Sequence, residues 1–254
     1  MSNSRNVPVV EISDLTVDFQ TQRGDVRAFR NVALTIPQNK TVGVVGESGC
    51  GKSTLINSIL RLLAPNASIT SGSVKFFDTN ILEMTNTELN DLRGQKISMV
   101  FQDPMTALNP VITVGKQMTD ILFRDESSRT KKLEKARDML QMVGITDAIE
   151  RLDDYPHQFS GGIRQRICIA MALMMNPALL IADEPTTALD VTLEAQVIHL
   201  LRELRNSFEC SILFVSHNLG LIAELCDEVV VMYAGEVVEK GDVFDLFHNP
   251  AHPY

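Results

Sequence analysis

Hydrophobic and polar positions change period several times along this chain. Val9 to Ile36 reads as extended: VVEISDLTVDF, a turn near Arg23-Gly24-Asp25, then a second extended run. The alternation there is imperfect, which blurs the strand ends. KTVGVVG, Lys40 to Gly46, is a short apolar run that predicts a buried strand entering a glycine-rich loop. In STLINSILRLL the apolar residues fall at 55, 56, 59, 60, 62 and 63. That is helical spacing, and Pro65 closes the helix. From about Asp103 to Phe159 the pattern is mainly helical. Within RTKKLEKARDMLQMVGI, Leu133, Ala136, Leu140 and Val143 share one face, and Gly144 is placed to cap the end. Strand and helix then alternate again. ALLIADEP reads as a buried strand, LEAQVIHLLRELRN as a helix and SILFVSH as a strand, and VVVMYAGEVVEKG as a hairpin turning at Ala234-Gly235. The pattern predicts an α/β core with a helical insertion.

Length and composition narrow the class. The chain has 254 residues, 44% hydrophobic and 22% charged, within the range of one globular domain with an inserted subdomain. The most apolar stretch, ICIAMALMMNPALLIA, is too short to span a bilayer and is broken by Asn176-Pro177, so a buried helix followed by a buried strand is expected. MSNSRNVPVV carries no apolar segment of a secretory leader. Lys and Arg total 23 against 32 Asp and Glu, a formal charge of −9, which argues against general electrostatic binding of nucleic acid. Cys50, Cys168, Cys210 and Cys226 lack metal-knuckle spacing and read as reduced thiols.

The glycine-rich loop changes the picture most. GESGCGKST matches G-x-x-x-x-G-K-[ST] at Gly46, Gly51, Lys52 and Ser53, between a predicted strand and a predicted helix. Gly46, Gly49 and Gly51 let the backbone curl so that successive N–H groups face inward. The helix start adds its positive dipole end, Lys52 a full charge for the outer phosphates, and Ser53 a hydroxyl for Mg²⁺. No N-K-x-D tetrapeptide is present to read guanine: Asn39-Lys40-Thr41-Val42 fails at its last position. Phe19 is a candidate to stack on adenine, or else a core residue at a strand end.

Further candidates lie downstream. Asp183 ends an apolar run and is placed to hold Mg²⁺; Glu184 follows it. Strand neighbours face opposite ways, which would aim Glu184 at a water near the γ-phosphate. His217 follows the apolar run SILFVS at the carboxyl end of a strand, where α/β sheets bind ligands. Gln102 ends ISMVFQ, its amide within reach of Mg²⁺ or water. In FSGGIRQR, Ser160 is placed to cap a helix whose first residues, Gly161 and Gly162, leave bare N–H groups. This is a second anion-binding helix start, far along the chain from the first.

In order, GESGCGKS, Gln102, FSGGIRQR, LLIADEP, TALD (Thr187 to Asp190) and His217 resemble the ATPase subunit of an ATP-binding cassette (ABC) transporter over nearly the whole chain. FQDPMTALNP, IADEPTTALDVT, MYAGEVVEKG and HNPAHPY resemble its oligopeptide, dipeptide and nickel importer branch. The resemblance implies a P-loop NTPase core, about 7–102 and 166–254. It adds an N-terminal antiparallel β subdomain and an inserted α-helical subdomain of about 103–165.

By matching positions it implies that Phe19 stacks on adenine. Gly46, Glu47, Ser48, Gly49, Cys50, Gly51, Lys52, Ser53 and Thr54 hold the phosphates of ATP. Ser53, Gln102 and Asp183 serve Mg²⁺. Glu184 is the general base, and His217 contacts the γ-phosphate. Ser160, Gly161 and Gly162 act on a partner's ATP, and Asp190 lies in the loop linking the two sites. The implied partners are a second ATPase subunit, copy or paralogue, in a head-to-tail dimer, two transmembrane permease subunits that the helical insertion docks on, and indirectly an extracytoplasmic solute-binding protein. No nucleic acid is among them. The implied location is the cytoplasmic face of the membrane, peripheral, with no transmembrane segment of its own.

Two departures stand out. Ile163 replaces the Gln common at the fifth signature position, and Asn218 replaces the commoner Asp after His217. The chain stops at Tyr254, where branch members often continue into a tail, sometimes with cysteines for an iron–sulfur cluster; a missing tail or a member lacking one is expected. His248 and His252 are four apart, but Pro250 and Pro253 favour a loop over a helical metal pair. The rival readings are a soluble ABC ATPase of DNA repair or translation and a nucleotide kinase. The kinase leaves FSGGIRQR and TALD without a role.

Overall fold

The computed structural model describes residues 7–187 and 189–254; the first six residues of MSNSRNVPVV and Ala188 of TALD lie outside the described residues. The chain divides into two compact units, Met1–Arg93 with Glu209–Tyr254, and Gly94–Phe208.

The first unit opens with the hairpin β1 (Val10–Thr21) and β2 (Gly24–Ile36), turning where the sequence predicts. The blurred alternation has a physical cause. The β1 register slips between Ile12 and Leu15 and again near Val17, and Asp14 and Asn31 adopt positive φ of 49° and 51°. β3 (Thr41–Gly46) is buried throughout. The helix after the glycine loop, α1 (Lys52–Ile59), stops short of the predicted Leu63. Arg61 takes φ 50°, the Leu62 N–H returns to the Asn57 carbonyl at 2.7 Å, and the Arg93 guanidinium donates to the Leu60 and Arg61 carbonyls, 2.8 Å each. A side chain distant in sequence thus satisfies carbonyls that another helical turn would have used. β4 (Ala67–Phe76), β5 (Thr79–Asn80) and α2 (Asn86–Leu92) follow; the antiparallel sheet runs β2-β1-β4-β5.

The second unit contains β6 (Ile97–Val100), α3 (Pro104–Ala107), α4 (Val114–Ile121), α5 (Arg129–Met142), α6 (Ala148–Arg151), α7 (Gly161–Leu173), β7 (Leu179–Asp183) and α8 (Val191–Phe208). β6 and β7 pair in parallel from Ile97↔Leu179 to Val100↔Ala182. α5 starts at a Ser128 cap and buries Ala136, Met139 and Leu140. It ends in a Schellman arrangement: the Ile145 N–H reaches the Leu140 carbonyl and the Gly144 N–H the Gln141 carbonyl, 2.9 Å each, with Gly144 at φ 79°.

The chain then completes the first unit with β8 (Ser211–Ser216), α9 (Leu219–Leu225), β9 (Glu228–Tyr233), β10 (Glu236–Asp242) and α10 (Val243–His248). β3 pairs in parallel with β8 on one side and β9 on the other, and β9 turns into β10 through Ala234 and Gly235 at φ 47° and 81°. His248 ends a short helix rather than lying in a loop, its Nδ1 bonded to the Phe244 carbonyl at 2.8 Å. Among the described residues no helix is long and apolar enough to cross a membrane. All four cysteines are free and buried, and burial pushes the Cys168 thiol up to about 12.

Gly144 gives a test of the α5 terminus. A Cβ there would force an L-residue into the left-handed region, about 1–2 kcal/mol. It would also meet Arg166 Nη1 at 2.8 Å. Gly144→Ala is expected to lower unfolding free energy by about that amount, read from urea denaturation midpoints.

Candidate functional site

The glycine loop leaves β3 at Gly46 and enters α1 at Lys52. Glu47, Ser48 and Gly49 are exposed, Cys50 and Lys52 are buried, Ser53 is exposed and Thr54 half-buried. Gly49 and Gly51 adopt φ 83° and 109°. Gly46 is required for space: a Cβ would lie 2.2 Å from the Met232 carbonyl oxygen and 2.6 Å from Cys50 Sγ. The Lys52 ammonium folds back along the loop, donating to the Gly46 and Glu47 carbonyls at 2.7 and 2.9 Å. α1 has no side-chain cap and no acid in its first turn, so its leading N–H groups and dipole favour an anion.

His217 reaches the same place by register. Ser216 pairs with Val45, so the exposed His217 leaves β8 at the level where β3 enters the loop. Asn218 serves well as an N-cap: its side chain accepts from the Gly220 N–H at 2.9 Å and starts α9. Phe19 is half-buried in β1 opposite Val26 and Ala67, outside the buried core.

In the second unit, Val100 and Ala182 are register partners, so Gln102 and Glu184 each lie two residues beyond a paired position. Gln102 Nε2 donates to Glu184 Oε2 at 3.3 Å, and Thr187 Oγ1 donates to the same oxygen at 3.1 Å. Asp183 ends β7, half-buried. Glu184 does not continue the strand: its backbone sits at φ 45°, left-handed for a residue with a side chain. Such strain persists only where the surroundings over-determine it. Thr187 had no role in the sequence reading beyond the TALD string. The acid-x-x-Thr spacing was the available signal, closed by the Thr187 N–H on the Glu184 carbonyl at 3.3 Å.

Ser160 caps α7, its side chain accepting from the Ile163 N–H at 3.5 Å, and the first turn again lacks an acid. Gly161 faces open space, whereas Gly162 admits Leu193, whose Cδ2 would lie 2.9 Å from an added Cβ. Asp190 accepts from the Leu193 N–H at 3.0 Å and so caps α8. Ser160, Gly162, Ile163, Arg151 and Arg166 border a recess of about 270 Å³. Arg166 is fixed there by the Val143 carbonyl at 2.7 Å and the Gln196 amide oxygen at 2.9 Å. The structure thus gathers the sequence candidates into a phosphate loop with His217, a Gln102–Glu184–Thr187 cluster, and a signature helix start tied to Asp190 through Leu193.

The ABC transporter family profile matches residues 29–187. The chain belongs to the ABC transporter family. The matched span holds the phosphate loop, Gln102, Ser160 to Gly162, Asp183 and Glu184; Phe19, Asp190 and His217 lie outside it. Over 248 residues, 97% of this chain, it is 46% identical to a dipeptide transport ATP-binding protein, DppD, of Lactococcus lactis, spanning 71% of that protein. It is 47% identical over the same share to the DppD of Bacillus subtilis, spanning 74% of it. Its fold is similar to the ATP-binding cassette MJ0796 solved as a dimer bound to ADP and Pi, with a TM-score of 0.81 at 28% identity over 92% of this chain and 98% of that one. This ABC family fold accounts for both the antiparallel sheet and the parallel strands around the phosphate loop.

Because the Gly46 contact is with backbone, this ABC family member has little room to relieve it. Gly46→Ala is expected to cost about 1–3 kcal/mol of stability and to lower the thermal midpoint, measured by calorimetry.

Proposed function

We propose that the chain binds and hydrolyses ATP as the energising subunit of a membrane importer, with di- or oligopeptides as cargo. The observation that carries the reading is the presence of two anion-ready helix starts in one chain, α1 after Gly51 and α7 after Ser160, neither with an acid in its first turn. In a head-to-tail dimer, α1 of one subunit and α7 of its partner face the same triphosphate. That use explains why a chain with one phosphate loop carries both.

The roles follow from chemistry. The loop from Gly46 to Thr54 holds the phosphates, with Lys52 exchanging its carbonyl partners for phosphate oxygens. Phe19 stacks on adenine. Glu184, oriented by Gln102 and Thr187, accepts a proton from the attacking water. His217 contacts the γ-phosphate. Ser160, Gly161 and Gly162 close over the partner's nucleotide, and Asp190 couples that closure to the adjoining site through Leu193. Ser53, Asp183 and Gln102 offer hydroxyl, carboxylate and amide oxygens, a hard donor set that fits Mg²⁺. When bound, Mg²⁺ supplies neutralisation of phosphate charge.

The domain reading proposed for these roles is a single ATPase domain with a helical subdomain of about 103–165. The partners are a second ATPase subunit, copy or paralogue, two permease subunits that receive the helical subdomain, and indirectly a solute-binding protein. The subunit works peripherally on the cytoplasmic face. Similarity to two proteins named for dipeptide transport supports the cargo over nickel, and their place in transport systems supports an importer over a soluble ABC ATPase.

Lys52→Ala is expected to lose most ATP affinity by equilibrium binding. Glu184→Gln is expected to retain ATP, to turn over at least about 100-fold more slowly and to accumulate as a dimer in size-exclusion chromatography; parental turnover would remove Glu184 from the mechanism. Co-purification of the tagged chain from detergent extracts, with mass identification, is expected to yield permease subunits and a second ATPase. Ribosomal or DNA-repair partners would instead favour the soluble reading.

A further inference from the structure

FSGGIRQR carries two arginines, and none of the roles above uses the first. Arg164 lies in the first turn of α7, its own N–H donating to the Ser160 carbonyl at 3.0 Å. Its half-buried side chain runs back past that helix start. Nε donates to the Pro156 carbonyl at 2.7 Å and Nη2 to the His157 carbonyl at 3.3 Å. Nη1 meets the Met105 sulfur of α3. The guanidinium therefore fastens α7 to the 3₁₀ turn Pro156–Gln158 and to α3, and the span it brackets contains Ser160, Gly161 and Gly162. A planar fork holds two acceptors in fixed geometry, which a lysine ammonium does not.

The turn that Arg164 grips is itself held. The Tyr155 N–H donates to Gln158 Oε1 at 2.7 Å, and Gln158 Nε2 donates to Asp154 Oδ1 at 3.4 Å. Pro156 restricts φ between them. The residues leading into this turn also complete the start of α4. Thr113 gives α4 no side-chain cap; instead the Val114 N–H donates to the Asp154 carbonyl at 2.9 Å and the Gly115 N–H to the Leu152 carbonyl at 2.7 Å. These are N–H groups that a helix leaves unpaired at its own start. The fit is close: a Cβ on Gly115 would lie 2.8 Å from the Leu152 carbonyl oxygen. α4, the segment 152–158 and α7 thus form one hydrogen-bonded series. The backbone alone would leave Phe159 as a pivot with two soft dihedrals, and the guanidinium spans that pivot.

We propose that Arg164 is a positioning residue for the signature: it locks the α7 start to α3 and to the segment 152–158, so that Ser160, Gly161 and Gly162 meet a partner's nucleotide at a level set by α3 and α4. The inference rests on the head-to-tail reading of the α7 start. N–H groups aimed at one anion weaken together when they are displaced together. A permease segment that shifts α3 or α4 shifts the α7 start with them.

The test uses the full chain with the partners that co-purify with it, and compares Arg164→Met, Arg164→Lys and Gly161→Asp with the parent. Arg164→Met keeps an unbranched stem and removes the fork, whereas Arg164→Lys keeps the charge. Gly161 faces open space, so Gly161→Asp puts a negative charge where the α7 start would take an anion, without a clash. ATP affinity, KM, kcat and melting temperature are measured for each. Arg164→Met is expected to lower kcat by about tenfold or more, because small misplacements remote from the chemistry have large effects on rate. ATP affinity, which the phosphate loop supplies, is expected to stay at the parental value, and Arg164→Lys to lie between Arg164→Met and the parent. A merely structural arginine would lower the melting temperature and leave kcat of the folded protein unchanged. That result, with Gly161→Asp slowed, overturns the positioning role and leaves the α7 reading standing. If Gly161→Asp also turns over at the parental rate, the α7 start does not act on phosphate, and this inference falls with that reading. Should Arg164→Met fail to melt cooperatively, Arg164→Lys carries the same comparison.

Discussion

Strand β3 is buried at every residue and hydrogen-bonded on both edges, and the site in the first unit depends on that constraint. Parallel pairing with β8 and β9 leaves no freedom in level. Val45 lies opposite Ser216, and Gly46 opposite Met232. One step further, the same register brings out the phosphate loop, His217 and Tyr233 at a common height. The closeness of the Met232 carbonyl to Gly46 locks this arrangement, because any side chain at Gly46 would displace a backbone that is itself part of the sheet. A loop that must offer several N–H groups to one small anion needs such a foundation, since small errors of placement weaken every contact together.

The second unit achieves comparable control by local means. β6 and β7 end at matched positions, and the chain then departs from regular geometry at Glu184, φ 45°, where two neutral donors grip one carboxylate oxygen. At the start of α7 the control is steric and capping: Ser160 satisfies the Ile163 N–H, and Gly162 admits Leu193, which Asp190 anchors as the start of α8. Each device ties a candidate site residue to a second element.

Much of this was legible in the amino-acid order. Gly-x-x-x-x-Gly-Lys-Ser after an apolar run, Ser160 before two glycines, and paired acids after LLIA are local signals, because backbone curl, helix capping and strand burial act over a few residues. The α5 helix with its Gly144 terminus and the β9–β10 hairpin at Ala234-Gly235 were equally plain, since both rest on periodicity and on residues at positive φ. Where local periodicity met a distant partner it failed. α1 ended at Ile59 because Arg93, more than thirty residues on, takes the carbonyls of Leu60 and Arg61. Glu184 sits at φ 45°, a left-handed step that strand periodicity does not contain.

The sequence by itself determined the family its ordered motifs resemble, where the helices after the glycine loop and after Ser160 begin, and which residues are the candidates for phosphate and water. Only the tertiary structure decided the contacts that span long separations. It joined Thr187 to Glu184 and Gln102, set His217 beside the phosphate loop by strand register, and tied the Ala251 and His252 backbone to Glu239. The physical reason is one of range. Capping, curl and periodicity are properties of a few consecutive residues, whereas register and return of the chain depend on which surfaces bury against each other once the whole unit has collapsed.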